Sequence, residues 1–166
     1  RTIMEKEIIS TANAPQAIGP YSQAVRVGSF VYTAGQIAIN PETSQIVTGG
    51  VTEQAEQVMQ NLAAVLDAAG TGLENVVKTT IFLRYMKDFS AVNEVYGRHF
   101  VSEKPARSTV AVSALPLKAL VEIEVVALIP GEEAVQKSAK SKKKAKKKNK
   151  KKKKAIEKVD EGKHDI

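Results

Sequence analysis

The chain has 166 residues, enough for one domain with a core of its own. It has no cysteine and only two histidines, which excludes a disulfide framework, thiol catalysis, Fe–S ligation, the usual zinc patterns and a histidine metal site. The net charge of +7 hides two unlike parts: residues 1–136 carry 10 Lys or Arg against 14 Asp or Glu, or −4, and residues 137–166 carry 15 against 4, or +11.

Glu7 to Ser10 and Ala24 to Val27 read as weak strands, and Phe30-Val31-Tyr32-Thr33 as a stronger one. Between Val51 and Gly70, Ala55, Val58, Met59, Leu62, Val65, Leu66 and Ala69 recur at helical spacing, with Thr52 as N-cap and Gly70 as stop. Val76 to Leu83 reads as a strand. Asp88 caps a second helix whose Phe89, Val92, Tyr96 and Phe100 form one stripe, and Pro105 forbids its continuation. Ser108 to Ala114 and Leu120 to Ile129 are the last strands, giving the order β-β-β-α-β-α-β-β.

Two helices and about six strands predict a two-layer α+β domain with both helices on one face of a single sheet. On the last strand Val121, Ile123, Val125, Ala127 and Ile129 form one face and Glu122, Glu124, Val126 and Leu128 the other. Neither face is simply polar, so the face without helices needs a cover, and a partner subunit is the natural one. The domain spans residues 1–130. From Gly131 the apolar pattern stops, and residues 137–154 hold 13 lysines with no aromatic residue. Such a segment cannot bury enough surface to offset chain entropy, so residues 131–166 are expected to be a disordered tail. The lysine run suits nucleic acid or another anionic surface, while the absence of aromatics argues against base stacking.

No apolar run reaches the roughly 18 to 20 residues a transmembrane helix needs, and no secretory signal opens the chain, so a soluble, cytoplasmic protein is expected. Arg1 ahead of Met4 is either the residue left by a removed targeting peptide, which implies the mitochondrial matrix, or an added residue. The lysine run also admits nuclear targeting.

Chemistry concentrates in Pro105-Ala106-Arg107-Ser108-Thr109-Val110-Ala111-Val112 and Val121-Glu122-Ile123-Glu124-Val125, where charges interrupt apolar strands. Arginine presents a rigid fork that grips a carboxylate through two parallel hydrogen bonds, and a strand glutamate can orient or deprotonate a water. The pair suggests hydrolysis of a small carboxylate substrate. If the two strands formed a hairpin turning near Pro116, Arg107 and Glu122 would sit about four positions, or roughly 13 Å, apart. They can meet only across separated strands or subunits.

From about Glu5 to Ile129 the chain resembles the RidA (YjgF) family. The matching motifs are Ala17-Ile18-Gly19-Pro20-Tyr21-Ser22-Gln23-Ala24, Ala34-Gly35-Gln36-Ile37, Asp88-Phe89-Ser90-Ala91-Val92-Asn93 and the two strands just quoted, in the expected order. The resemblance implies a chorismate-mutase-like α+β fold, a six-stranded sheet with two helices on one face, and a homotrimer with clefts between subunits. It also implies hydrolytic deamination of 2-imino acids or their enamines, such as 2-iminobutanoate and 2-iminopropanoate, to 2-oxo acids and ammonia. No cofactor or metal takes part, and the reaction protects pyridoxal-phosphate enzymes from damage.

By the same resemblance, Arg107 anchors the substrate carboxylate, Glu122 positions and activates the water, and Tyr21 lines the cleft. Gly35, Asn93 and Thr109 join them in binding substrate, Thr109 through its backbone N–H and Asn93 as a pocket donor or a helix-to-loop tether. Glu124 is a rival to Glu122 on the same strand face. Thr109 stands where many members carry cysteine, and Ala34 where some carry serine, so neither a thiol nor a hydroxyl there is required. Other branches of the family lack this activity and are described as translation inhibitors or ribonucleases. A regulatory or RNA-binding protein using the basic tail is therefore the alternative, although the chain offers no histidine pair for RNA cleavage.

Overall fold

A computed structural model describes residues 6–131. The expected disorder of the lysine-rich tail and its partners lie outside these residues. In chain order the described elements are β1 (Lys6–Ile9), β2 (Ala24–Val27), β3 (Phe30–Thr33), β4 (Ile39–Asn40), β5 (Gln45–Ile46), α1 (Val51–Ala68), β6 (Val76–Leu83), α2 (Phe89–His99), β7 (Ala106–Ala111) and β8 (Val121–Leu128). The six longer strands form one sheet in the order β1-β2-β3-β8-β6-β7, antiparallel except for the parallel pair β6 and β7. That parallel pair is joined by α2, because parallel neighbours need a long crossover.

β4 and β5 form a separate two-stranded ribbon that the sequence pattern does not announce. Strands of two residues carry no readable alternation; the ribbon is set by the side chain of Asn40, whose Oδ1 accepts the backbone N–H of Glu42 at 2.8 Å.

α1 begins two residues earlier than expected. Gly50 is its N-cap rather than Thr52, and the Glu53 carboxylate accepts the Gly50 N–H at 2.7 Å. The helix ends as expected: Gly70 takes φ +78°, and the N–H of Thr71 reaches back to the Leu66 carbonyl. Asp88 does precede α2, yet its side chain makes no cap hydrogen bond, because the turn Met86–Asp88 is already helical and runs straight into the helix. β7 starts at Ala106, directly after Pro105, and ends at Ala111, where its partner β6 ends at Leu83.

The helices cover one face of the sheet. Val58, Leu62, Val65 and Leu66 of α1 are buried with Val31, Ile81, Leu83, Val121, Ile123 and Val125 from the strands. Full burial of each such side chain contributes about 1.5–3 kcal/mol, so this interface holds the two layers together. The opposite face carries Phe30, Tyr32, Val110 and Leu128, each 40–48% exposed, beside the half-buried Glu122 and Glu124. Among the described residues no helix covers it, in keeping with the mixed composition of that face of β8.

Candidate functional site

The sheet register decides which residues can act together. β7 and β8 are not a hairpin pair; both flank β6, on opposite sides of it. Arg107 pairs with Thr79, a buried residue facing the helices, whereas Glu122 pairs with Phe82 on the uncovered face. Within one chain the arginine and the glutamate therefore lie on opposite faces of the sheet.

On the helix side, α2 meets β7 at the edge of the sheet. Phe89, Asn93 and Tyr96 are spaced four and three residues apart, which puts them on one helical face. Asn93 Oδ1 accepts a hydrogen bond from Arg107 Nη1 at 2.9 Å, so Asn93 tethers the arginine rather than a loop. The Arg107 guanidinium carbon lies 4.8 Å from the Tyr96 ring centre and 5.7 Å from that of Phe89, within cation–π range of both. A cavity of about 630 Å³ opens beside them, lined also by Lys104 and Pro105. It is a positively charged recess with an apolar wall.

Thr109 follows on the same strand face. Its hydroxyl is enclosed and meets no hydrogen-bond partner among the described residues. The Val112 N–H bonds to Leu83 in β6, so strand alternation turns the Thr109 N–H the other way, toward the open edge of the sheet.

On the uncovered face, the segment Ala34–Ile37 runs along β8. Gln36 and Ile123 exchange backbone hydrogen bonds of 2.9 and 3.1 Å. This brings Gly35 against Glu122, whose carboxylate occupies the space a Cβ on residue 35 would need. Tyr21 is 52% exposed rather than a core tyrosine, and its hydroxyl accepts the Ile18 N–H at 3.3 Å. Tyr21, Gly35, Gln36, Pro116 and Glu122 line a second cavity of about 350 Å³. Burial, and then the charge of Glu124, push the Glu122 carboxyl above its ordinary value. Glu124 itself pairs with Thr80 and borders a different depression, with Tyr32 and Lys78.

The structure thus brings the expected residues together as two groups: Arg107, Asn93 and Thr109 in one, Tyr21, Gly35 and Glu122 in the other. Sequence reasoning placed Tyr96 and Phe89 in a core stripe and missed their faces on Arg107; their spacing to Asn93 carried the signal. Gln36 had none beyond its place in the Ala34–Ile37 motif, and Pro116 was marked only as a turn.

The fold, with an arginine against aromatic rings on one face of the sheet and a half-buried glutamate on the other, defines a class of small two-layer α+β proteins. The chain belongs to the RidA/YjgF family within it: residues 11–129 match the sequence profile described as Endoribonuclease L-PSP. The 2-iminobutanoate/2-iminopropanoate deaminase of Homo sapiens is 50% identical over 123 residues, 74% of this chain and 90% of that protein. A RutC family protein of Pyrococcus horikoshii is 51% identical over 122 residues, 74% of this chain and 97% of that protein. Among solved structures, E. coli TdcF with bound serine is similar with a TM-score of 0.71 at 41% identity, covering 74% of this chain and 98% of that one. The E. coli YjgF gene product gives 0.72 at 42% identity, covering 75% and 99%.

Proposed function

We propose that this protein hydrolyses 2-iminobutanoate and 2-iminopropanoate to the corresponding 2-oxo acids and ammonia. The observation that carries the reading is the match, at about half identity and over nearly their whole length, to relatives named as deaminases of these two compounds. The two groups of residues divide the chemistry sensibly. Arg107 receives the carboxylate in the positive recess through a paired, charge-assisted hydrogen bond, with the Thr109 N–H alongside. Glu122 holds a water against the imine carbon and takes its proton as the C–O bond forms, and the raised affinity of its carboxyl for a proton suits it to that task. The nitrogen takes a proton from solvent as the C=N π bond opens, giving the carbinolamine; Glu122 then returns its proton to that nitrogen, the C–N bond breaks with ammonia leaving, and the hydroxyl releases its proton to solvent as the C=O bond forms. Tyr21 supplies a hydroxyl at the mouth of the same cavity. None of these steps calls for a cofactor.

Because Arg107 and Glu122 lie on opposite faces of one chain, a complete site requires two chains. A homotrimer, with the uncovered sheet face buried against a neighbour, joins the arginine group of one subunit to the glutamate group of the next. The neighbour also covers Phe30, Tyr32 and Leu128, whose exposure is otherwise unexplained.

The test is release of ammonia and 2-oxobutanoate from 2-iminobutanoate generated in situ by threonine dehydratase. Wild-type protein is expected to accelerate it, and Arg107→Ala to lose about 10- to 100-fold in kcat/KM. No acceleration by the folded wild-type protein overturns the assignment.

A further inference from the structure

A strand arginine at a sheet edge ordinarily samples many rotamers, and a two-point grip on a carboxylate requires its guanidinium plane to be set beforehand. Asn93 fixes one point of Arg107 by accepting from Nη1. One hydrogen bond leaves the plane free to rotate about it. The second constraint is the Tyr96 ring, 4.8 Å from the guanidinium carbon and itself packed against Phe100 in a tilted contact, with ring centres 4.5 Å apart.

Tyr96 is 6% exposed, and its hydroxyl shares a buried 2.9 Å hydrogen bond with Thr79 Oγ1. Thr79 is fully buried and is the register partner of Arg107 on the neighbouring strand. The contacts therefore close a ring: strand β6 holds the tyrosine, the tyrosine faces the arginine, and the arginine pairs back with β6. We propose that Tyr96, locked by Thr79, is a positioning residue that sets the plane of the Arg107 guanidinium for the substrate carboxylate. The inference rests on Arg107 as the carboxylate anchor. Burial keeps the Tyr96 hydroxyl neutral by raising it above its ordinary value, so it does not neutralise the arginine as a tyrosinate would.

The experiment compares Tyr96→Phe, Tyr96→Leu, Thr79→Val and Arg107→Ala in the full chain. It reads kcat and KM for 2-iminobutanoate, and calorimetric binding of 2-oxobutanoate against its uncharged amide. Tyr96→Phe and Thr79→Val, which keep the ring and lose only its lock, are expected to raise KM about two- to threefold. Tyr96→Leu, which removes the ring, is expected to raise it about tenfold with kcat within about twofold. It should weaken 2-oxobutanoate by the same factor and leave the amide unchanged, which a general loss of packing would not do.

Equal KM in the Leu and Phe variants, or equal weakening of acid and amide, overturns the positioning role. So does a Tyr96→Leu variant that fails to fold, if Thr79→Val retains the wild-type KM. If Arg107→Ala leaves 2-oxobutanoate binding unchanged, the anchor reading itself falls and takes this inference with it. Loss in Arg107→Ala without loss in Tyr96→Leu removes the positioning role alone.

Discussion

At the scale of single residues, Glu122 and Glu124 share a strand face and differ in surroundings. Glu122 is pressed against Gly35 inside a cavity, and its carboxyl is raised first by burial and then by the charge of Glu124. A raised value means that ionised Glu122 opposes folding: its favourable contribution is complete below the unfolded value and is lost as pH rises through the folded one. With Glu122 as the proposed base, the same shift is expected to set the acid limb of activity. Glu124→Gln removes one of the two causes, so the acid limb of the kcat/KM profile is expected to move to lower pH with the plateau within about threefold of wild type. Glu122→Gln is expected to lose the plateau altogether. A collapsed plateau in Glu124→Gln, with an unmoved limb, would instead make Glu124 the base.

Among the elements, β6 organises the site. It separates β7 from β8, so the strand carrying Arg107 and the strand carrying Glu122 receive opposite faces from one register. In the segment before β2, the side chain of Gln23 ties together backbone groups of Thr11 and Pro15. Gln23 is 3% exposed; its Nε2 donates to the carbonyls of Thr11 at 3.0 Å and Pro15 at 2.7 Å, and its Oε1 accepts the Thr11 N–H at 2.7 Å. Its own carbonyl accepts the N–H of Ala34, beside Gly35. Gln23→Leu leaves the part-buried Thr11 N–H and Pro15 carbonyl without these partners and is expected to cost about 1–3 kcal/mol. Hydrogen exchange should quicken at Thr11, whose N–H bonds directly to the side chain. Chemical denaturation with exchange at residue resolution checks both.

For the whole molecule, the proposed reaction calls for a site divided between chains, because Arg107 and Glu122 lie on opposite faces of one sheet. Arg107→Ala and Glu122→Gln each damage a different half, so each homomer is expected to be impaired about 10-fold or more. Co-expressed in equal amounts and assembled at random, the two variants give a population in which about a quarter of all sites draw an intact arginine from one subunit and an intact glutamate from the next. Activity recovering toward that fraction is the expected result. Mixed trimers as impaired as either homomer would place both residues in a site within one chain. The family match ends at Ile129, just after β8.

Much of the fold is legible in the sequence because helix α1 and strands β6 and β8 write their burial into period and alternation, and Gly70 marks its turn by the conformation it permits. The two-residue strands β4 and β5 are too short to show a period. The N-cap shift from Thr52 to Gly50 came from a carboxylate three residues on, which local propensity ranks below a threonine hydroxyl. The residue types at the site, an arginine and glutamates on apolar strands, were likewise plain from the sequence. That Arg107 and Glu122 are separated was legible too; that they take opposite faces of the sheet was not. Which face a strand residue takes depends on the strand it pairs with, and that pairing joins residues far apart along the chain. Only the tertiary structure could therefore put Arg107 against the ring of Tyr96, Glu122 against Gly35, and the sheet between them.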